Sequence, residues 1–252
     1  MRLQILGCCG GSTLGKHPTS FLVNDTVAVD AGAITAMLPP HAQEKVDHVV
    51  LSHAHLDHVA NLPFLVDNRF ARQTKPITIY GSKVTIDDLS DGMFNNRVWP
   101  DFTVLKNKKS ISLTLRPVKA GEPFTIDGLT FTAYPMEHPV ACFGFLIDDG
   151  TSSIFIAGDT GSTESVKKVV AGVDNLRAII VEASWPSRMG DLAVATGHLT
   201  PRMIRDALPF HPEAKLLVTH VKPFFFHEVV GELMGFALPN TLILDDGMEF
   251  DF

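Results

Sequence analysis

Cysteine is nearly absent: Cys8, Cys9 and Cys142 are the only three in 252 residues. Adjacent cysteines make a poor disulfide and an odd count leaves a thiol over. The sequence therefore excludes a disulfide-stapled secreted scaffold and points to a reducing, cytoplasmic setting. Long apolar runs are missing too. No window reaches the ~18 apolar residues of a membrane-spanning helix, so no membrane partner is expected. The start, Met1 to Gly7, reads as a strand entering a glycine-rich turn, without the apolar core and cleavage site of a secretory leader. Positive charge is scarce: the formal charge is −7, and Lys106-Asn107-Lys108-Lys109 is the one dense basic run. Nucleic-acid surfaces need clustered Lys and Arg to replace counterions, so no nucleic-acid partner is expected and the run reads as a solvated turn. Gly7-Cys8-Cys9-Gly10-Gly11-Ser12-Thr13 lacks the Gly-Lys-Ser/Thr of a phosphate loop and is followed by no helix; it reads as a tight turn. No linker or low-complexity segment divides the chain.

What remains is a globular composition, 45% apolar and 19% charged, long enough for one compact domain over residues 1–252. Strand patterns fall at 3–6, 20–23, 26–30, 48–51, 77–80, 111–117, 129–134, 143–148, 153–157, 178–181, 216–220 and 241–244. Helices are expected at 62–72, 82–92, 162–171, 201–208 and 226–234. Strands apolar on both faces need cover on both sides. Two sheets packed face to face with helices outside is the α/β architecture that satisfies this.

The densest chemistry is His53-Ala54-His55-Leu56-Asp57-His58, directly after an apolar run. On extended backbone His53 and His55 point the same way. Asp57 and His58 come from the following turn and can face a second ion. Imidazole and carboxylate are the ligand set of a zinc-like dinuclear site. Two ions need more donors, and His138, Asp159 and His220 each follow a strand pattern, where functional groups of α/β proteins gather. Cys142 can approach a metal, although a small buried side chain is the better reading. Asp30 ends a strand and suits bracing of a metal ligand. Glu182 ends another strand, and His198 precedes Thr200-Pro201, a helix start with Thr as cap. A carboxylate beside an imidazole fixes its tautomer and raises its proton affinity, which suits a general acid.

His-x-His-x-Asp-His, a later His, Gly-Asp and a late His together resemble the metallo-β-lactamase superfamily over nearly the whole chain. The resemblance implies a four-layer αβ/βα sandwich with the metals in a cleft where the halves meet. It implies one ion held by His53, His55, His138 and Asp159, and another by Asp57, His58, Asp159 and His220, with Asp159 bridging. Zn²⁺ is the first expectation; Mn²⁺ and Fe²⁺ accept the same ligands. His55 stands where the diiron branch has Glu, and Asp159 where lactamases often have Cys, so a hydrolase is implied. Glu182-Ala183-Ser184 followed by Gly197-His198-Leu199-Thr200-Pro201 looks like the phosphodiesterase side. Class II 3′,5′-cyclic nucleotide phosphodiesterases are most similar, also through Phe94-Asn95-Asn96-Arg97-Val98-Trp99-Pro100-Asp101-Phe102 and Thr219-His220-Val221-Lys222-Pro223. The implied reaction opens cyclic AMP or GMP to the 5′ monophosphate, with Asp57 ligating and orienting the attacking water and His198, held by Glu182, protonating the leaving oxygen. A small nucleotide is then the expected partner. The rivals are a tRNA 3′-processing endonuclease, a thioester or lactone hydrolase, and a non-catalytic metal-binding scaffold. Only twenty residues separate His138 from Asp159, too few for the long basic arm of the bacterial tRNA-processing members. Phe94, Trp99 and Phe102 either stack a nucleobase or anchor a long loop. Phe224-Phe225-Phe226 reads as a core plug or a homodimer patch.

Overall fold

A computed structural model describes residues 1–108 and 110–252; Lys109, the last residue of the basic run, lies outside them. The first half of the chain runs β1 (Arg2–Gly7), β2 (Ser20–Val23), β3 (Val27–Val29), α1 (Ile34–Met37), α2 (Pro40–Gln43), β4 (His48–Val50), α3 (Leu56–Val59), α4 (Leu62–Phe70), β5 (Ile77–Gly81), α5 (Lys83–Gly92) and β6 (Leu113–Pro117). The second half runs β7 (Phe124–Ile126), β8 (Leu129–Met136), β9 (Cys142–Asp148), β10 (Ser153–Ile156), α6 (Thr163–Val170), β11 (Leu176–Glu182), α7 (Gly190–Thr196), α8 (Pro201–Ala207), β12 (Lys215–Thr219), α9 (Phe226–Phe236), β13 (Thr241–Ile243) and β14 (Glu249–Asp251). They build two seven-stranded sheets, in the orders β14-β1-β2-β3-β4-β5-β6 and β13-β12-β11-β10-β9-β8-β7. Each sheet has three antiparallel pairings on one side and three parallel ones on the other.

The period-2 alternation of the strands decides the layering. In β10, Ile154 and Ile156 face the cluster between the sheets, while Phe155 faces the outer helices. In β11, Ala178 and Ile180 point inward and Ile179 and Val181 outward. In β2, Phe21 and Val23 point inward and Leu22 outward. Three apolar clusters result, one between the sheets and one under each outer helix layer. Three interfaces make four layers, the αβ/βα sandwich expected from the sequence. Among the described residues, no helix is long and apolar enough to cross a membrane.

Helix positions follow their caps. Ser82, Ser162 and Thr200 each accept a hydrogen bond from the backbone three residues on, and Pro201 sits at the first position of α8. Two strands escaped the sequence reading. β7 pairs with β8 through a turn in which Asp127 and Gly128 have φ of 49° and 81°, the Asp-Gly signature of a tight hairpin. β14 is three residues long, and two of them, Glu249 and Asp251, are charged. It exists because β1 supplies a partner, with Leu3 opposite Phe250 and Arg2 Nη2 donating to Glu249 at 2.9 Å.

The two aromatic segments are placed differently. Phe94 and Phe102 are each 2% exposed, inside the cluster between the first sheet and its helices. Trp99 packs on that cluster and meets Phe64 edge-on at 5.4 Å. Buried in this way, Phe94 and Phe102 cannot stack a nucleobase; they anchor a loop because their aromatic area is worth more in the core than at a cleft mouth. In the Phe-Phe-Phe run, Phe225 packs near Trp185 at 5.6 Å, Phe226 lies under Lys16, and Phe224 is exposed.

Phe145 is fully buried in the cluster between the sheets. Phe145→Ala is expected to cost about 3–5 kcal/mol of folding stability, read as a lowered urea midpoint at unchanged slope.

Candidate metal centre

Strand ends converge at one edge of the sandwich. Asp30 follows β3, Ser52 and His53 follow β4, His138 follows β8, Asp159 follows β10, Glu182 closes β11 and His220 follows β12. Two of these residues, Asp30 and His220, adopt φ of 57° and 59°, left-handed conformations that non-glycine residues rarely take. Packing enforces them. Asp30 N donates to Val50 O at 2.9 Å, and His220 N donates to Cys8 O at 2.7 Å. The Cys8–Gly10 turn lies directly against His220: a Cβ on Gly10 would sit 2.6 Å from Nδ1 of the ring. The glycine-rich turn is thus a bed for a histidine.

The structure brings the sequence-predicted donors together in two groups. His53, His55, His138 and Asp159 form one; Asp57, His58 and His220 form the other. Asp159 stands between them, 2% exposed. Its Oδ2 lies 3.7 Å from His53 Nε2 and 4.0 Å from His138 Nε2. Its Oδ1 lies 3.4 Å from His58 Nε2 and 3.3 Å from His220 Nε2. Asp57 Oδ2 is 3.4 Å from His220 Nε2 and 3.7 Å from Lys222 Nζ.

The tautomers follow from the far side of each ring. Nδ1 of His58 donates to Asp30 Oδ2 at 2.8 Å. Ser52 Oγ has one proton and gives it to Asp30, 2.8 Å away, so it accepts from His53 Nδ1 at 3.0 Å. His138 Nδ1 donates to Gly197 O at 3.0 Å. Ser184 Oγ donates to the Glu182 carboxylate and accepts from His220 Nδ1 at 2.9 Å. In each case the proton sits on Nδ1 and the lone pair of Nε2 points into the cleft. His58 Nε2 and His220 Nε2 then face one another at 3.2 Å, and His138 Nε2 faces His55 Nδ1 at 3.3 Å. His53 Nε2 is buried without a hydrogen-bond partner. Opposed lone pairs and an orphaned buried nitrogen are unfavourable unless a cation lies among them. The donor chemistry therefore fits divalent metal ions, held by imidazoles whose outer nitrogens are already braced.

Charge in the cluster is set by competition between burial and its carboxylates. Burial works against ionising Asp159, yet the charges of His220 and His58 hold it well below the usual carboxylate range. Burial also opposes charge on His58, and Asp159 and Asp30 outweigh it and push its pKa well up. Burial and the neighbouring His58 push His53 well down, and burial leads the downward shifts of His55 and His138. Burial opposes ionisation of Asp57, but its contact with His220 and the charges of His220 and His58 lower its pKa strongly.

Beside this cluster, His198 Nδ1 lies 2.7 Å from Glu182 Oε1. Glu182 is fully buried and also accepts from Thr160 N at 2.9 Å, Leu199 N at 3.3 Å and Ser184 Oγ. Burial works against protonating His198, and the Glu182 hydrogen bond and charge overcome it and raise the pKa. Its ring lies 5.2 Å from that of His138 and 5.5 Å from that of His220.

Cys142 is buried behind His53, with Sγ 3.7 Å from Nδ1 and so on the side away from the donor nitrogen. It is a small packed side chain. Ser52 escaped the sequence reading, and Ser184 and Gly10 stood there only inside motifs, without a role of their own. Two carried a visible signal: Ser52 directly precedes the hexapeptide, and Ser184 follows Glu182 by two residues.

Residues 24–221 match a family described as the beta-lactamase superfamily domain. The uncharacterized protein ML1173 of Mycobacterium leprae is 29% identical over 257 aligned positions, covering 91% of this chain and 81% of its own. Ribonuclease BN of Escherichia coli is 26% identical, covering 70% of this chain and 71% of its own. Among solved structures, the metallo-beta-lactamase fold protein YhfI from Bacillus subtilis superposes with a TM-score of 0.80 at 21% identity, covering 99% of both chains. Yeast PDE1 superposes with a TM-score of 0.78 at 20% identity, covering 97% of this chain and 98% of its own.

Asp30→Asn keeps a residue type that tolerates the left-handed backbone and removes the charge behind His58. It is expected to weaken zinc binding by about 10–100-fold, measured by competition with a chromogenic chelator.

Proposed function

Starting from a chain that belongs to the beta-lactamase superfamily and is a metal-dependent hydrolase, we propose that it is a phosphodiesterase that opens 3′,5′-cyclic nucleotides, cyclic AMP or GMP, to 5′ monophosphates. The observation that carries this reading is the buried Glu182–His198 pair, 2.7 Å apart and beside Asp159. Alkoxide is a poor leaving group and needs a proton, whereas a thioester releases a stable thiolate and does not. A carboxylate–imidazole pair set against the donor cluster answers the need of the diester.

His53, His55, His138 and Asp159 would hold one divalent ion, and Asp57, His58, Asp159 and His220 a second. Zn²⁺ is the first expectation, and Mn²⁺ or Fe²⁺ suits the same donors. Bound there, the ions would acidify water towards a pKa of ~7 and offset charge on the phosphoryl oxygens. The chain's own residues do the rest. Asp159 turns one oxygen to each donor group and fixes their separation. Asp57 is anionic and positioned to orient the attacking water as well as to ligate. Glu182 occupies Nδ1 of His198, which leaves Nε2 to deliver a proton to the departing 3′ oxygen.

A nuclease reading draws support from the likeness to ribonuclease BN. Between His138 and Asp159, however, the chain forms only the β9–β10 hairpin, and the charge is −7. A small nucleotide suits this cleft better than a long polyanion. The three unpaired cysteines fit the reducing cytoplasm.

His198→Ala is expected to lower turnover by about 10²–10⁴-fold while two ions remain bound, checked by kinetics alongside metal analysis. Loss of the ions in that variant would make His198 a ligand instead. On purified protein, a panel of cyclic AMP, cyclic GMP, their 2′,3′ isomers, a tRNA precursor, a glutathione thioester and bis-p-nitrophenyl phosphate is expected to show fastest turnover on a 3′,5′-cyclic nucleotide. Cleavage of the generic ester alone would overturn the substrate and leave the reaction.

A further inference from the structure

Ser184 is neither a donor nor part of the Glu182–His198 pair, yet its hydroxyl touches both. The residue is fully buried. Oγ contacts Glu182 Oε2, lies 2.9 Å from His220 Nδ1, 3.3 Å from His198 Nδ1 and 3.1 Å from His220 O. One hydroxyl carries one proton. Glu182, an acceptor-only carboxylate at the shortest contact, takes it. The lone pairs of Oγ are then what receives the His220 Nδ1 proton, and that tautomer is what turns the Nε2 lone pair towards Asp57 and Asp159. Ser52 makes the same arrangement in the other half of the chain, giving its proton to Asp30 and contacting His53 and His58 Nδ1 at 3.0 and 3.3 Å. The difference is the acid behind the hydroxyl. Asp30 braces donors alone, while Glu182 also holds His198.

We propose that Ser184 is a positioning residue that couples the His198–Glu182 pair to the donor group around His220. The inference rests on the metal-centre reading given above. Whatever draws Glu182 towards His198 changes the proton that Ser184 offers and so the hold on His220. Coupling of this kind runs both ways: occupancy of the His220 group reports back, through the same hydroxyl, on how His198 is held. The leaving-group acid would be set in place only when its neighbouring ion is present.

Zinc titration against a chromogenic chelator tests this without reference to turnover. Wild type is expected to bind two ions with two resolvable affinities. Ser184→Ala is expected to weaken one of them by about 10–100-fold and leave the other within about twofold, as loss of an outer partner from a single ligand does. Identification of the weakened ion comes from His220→Ala, which should abolish the same phase. His198→Ala should shift that affinity severalfold in the wild-type background and leave it unchanged in Ser184→Ala. Equal weakening of both ions, together with a lower melting temperature of the metal-free protein, would make Ser184 a packing residue and overturn the proposal. So would an identical His198→Ala shift in both backgrounds. Fewer than two ions bound to wild type would instead overturn the metal-centre reading, and this inference with it.

Discussion

A single carboxylate, buried almost completely, sets the terms for the cleft. Asp159 would be costly to ionise at that depth without compensation, and the compensation is the ring of imidazoles whose nitrogens lie between 3.3 and 4.0 Å from its two oxygens. Because Oδ1 and Oδ2 look in different directions, the histidines sort into two groups. Each histidine is in turn pinned from behind, by Asp30, Ser52, Gly197 O or Ser184. The left-handed backbone at Asp30 and His220 is strain stored to reach these positions, and neighbouring strands and the Cys8–Gly10 turn hold it in place.

The two halves solve the same problem in the same way. An acid at a strand end, a serine near the end of a strand, and a pair of imidazole Nδ1 atoms recur as Asp30–Ser52–His53/His58 and as Glu182–Ser184–His198/His220. The sheets share the same succession of antiparallel and parallel pairings, so equivalent strand ends arrive at the cleft from both sides. The halves then diverge at the acid. One acid serves donors alone, and the other also holds His198.

Much of this was written locally in the chain. The hexapeptide announces itself because its four donors lie within six residues, and His138, Asp159 and His220 stand out because alternating runs end at them. Thr200-Pro201 fixed the start of α8 through capping alone. The layer order followed from strands apolar on both faces. What could not be read depended on closure in three dimensions. Ser52 and Ser184 are ordinary residues until two rings and a carboxylate arrive from distant strands. Gly10 matters only because His220 lies on it. Phe94 and Phe102 could have lined a cleft or filled a core, and their placement under the first sheet is a property of α5 and its loop rather than of any local pattern. β14 is too short and too polar to declare itself without β1.

That last strand has a consequence for metal fidelity. The chain leaves the second sheet after β13 and crosses to the first, where Ile5 exchanges backbone hydrogen bonds with Gly247 and Met248 and Phe250 lies opposite Leu3. Neither sheet can swing away without tearing out a strand that the other half contributes, so opening is driven towards all-or-none unfolding. A half-open molecule would display two or three imidazoles with no geometry imposed on them, and such loose sets follow intrinsic affinity, with Cu²⁺ ahead of Zn²⁺. By stitching the halves together, the crossing strand keeps those scavenging states rare and leaves the choice of ion to the finished cage.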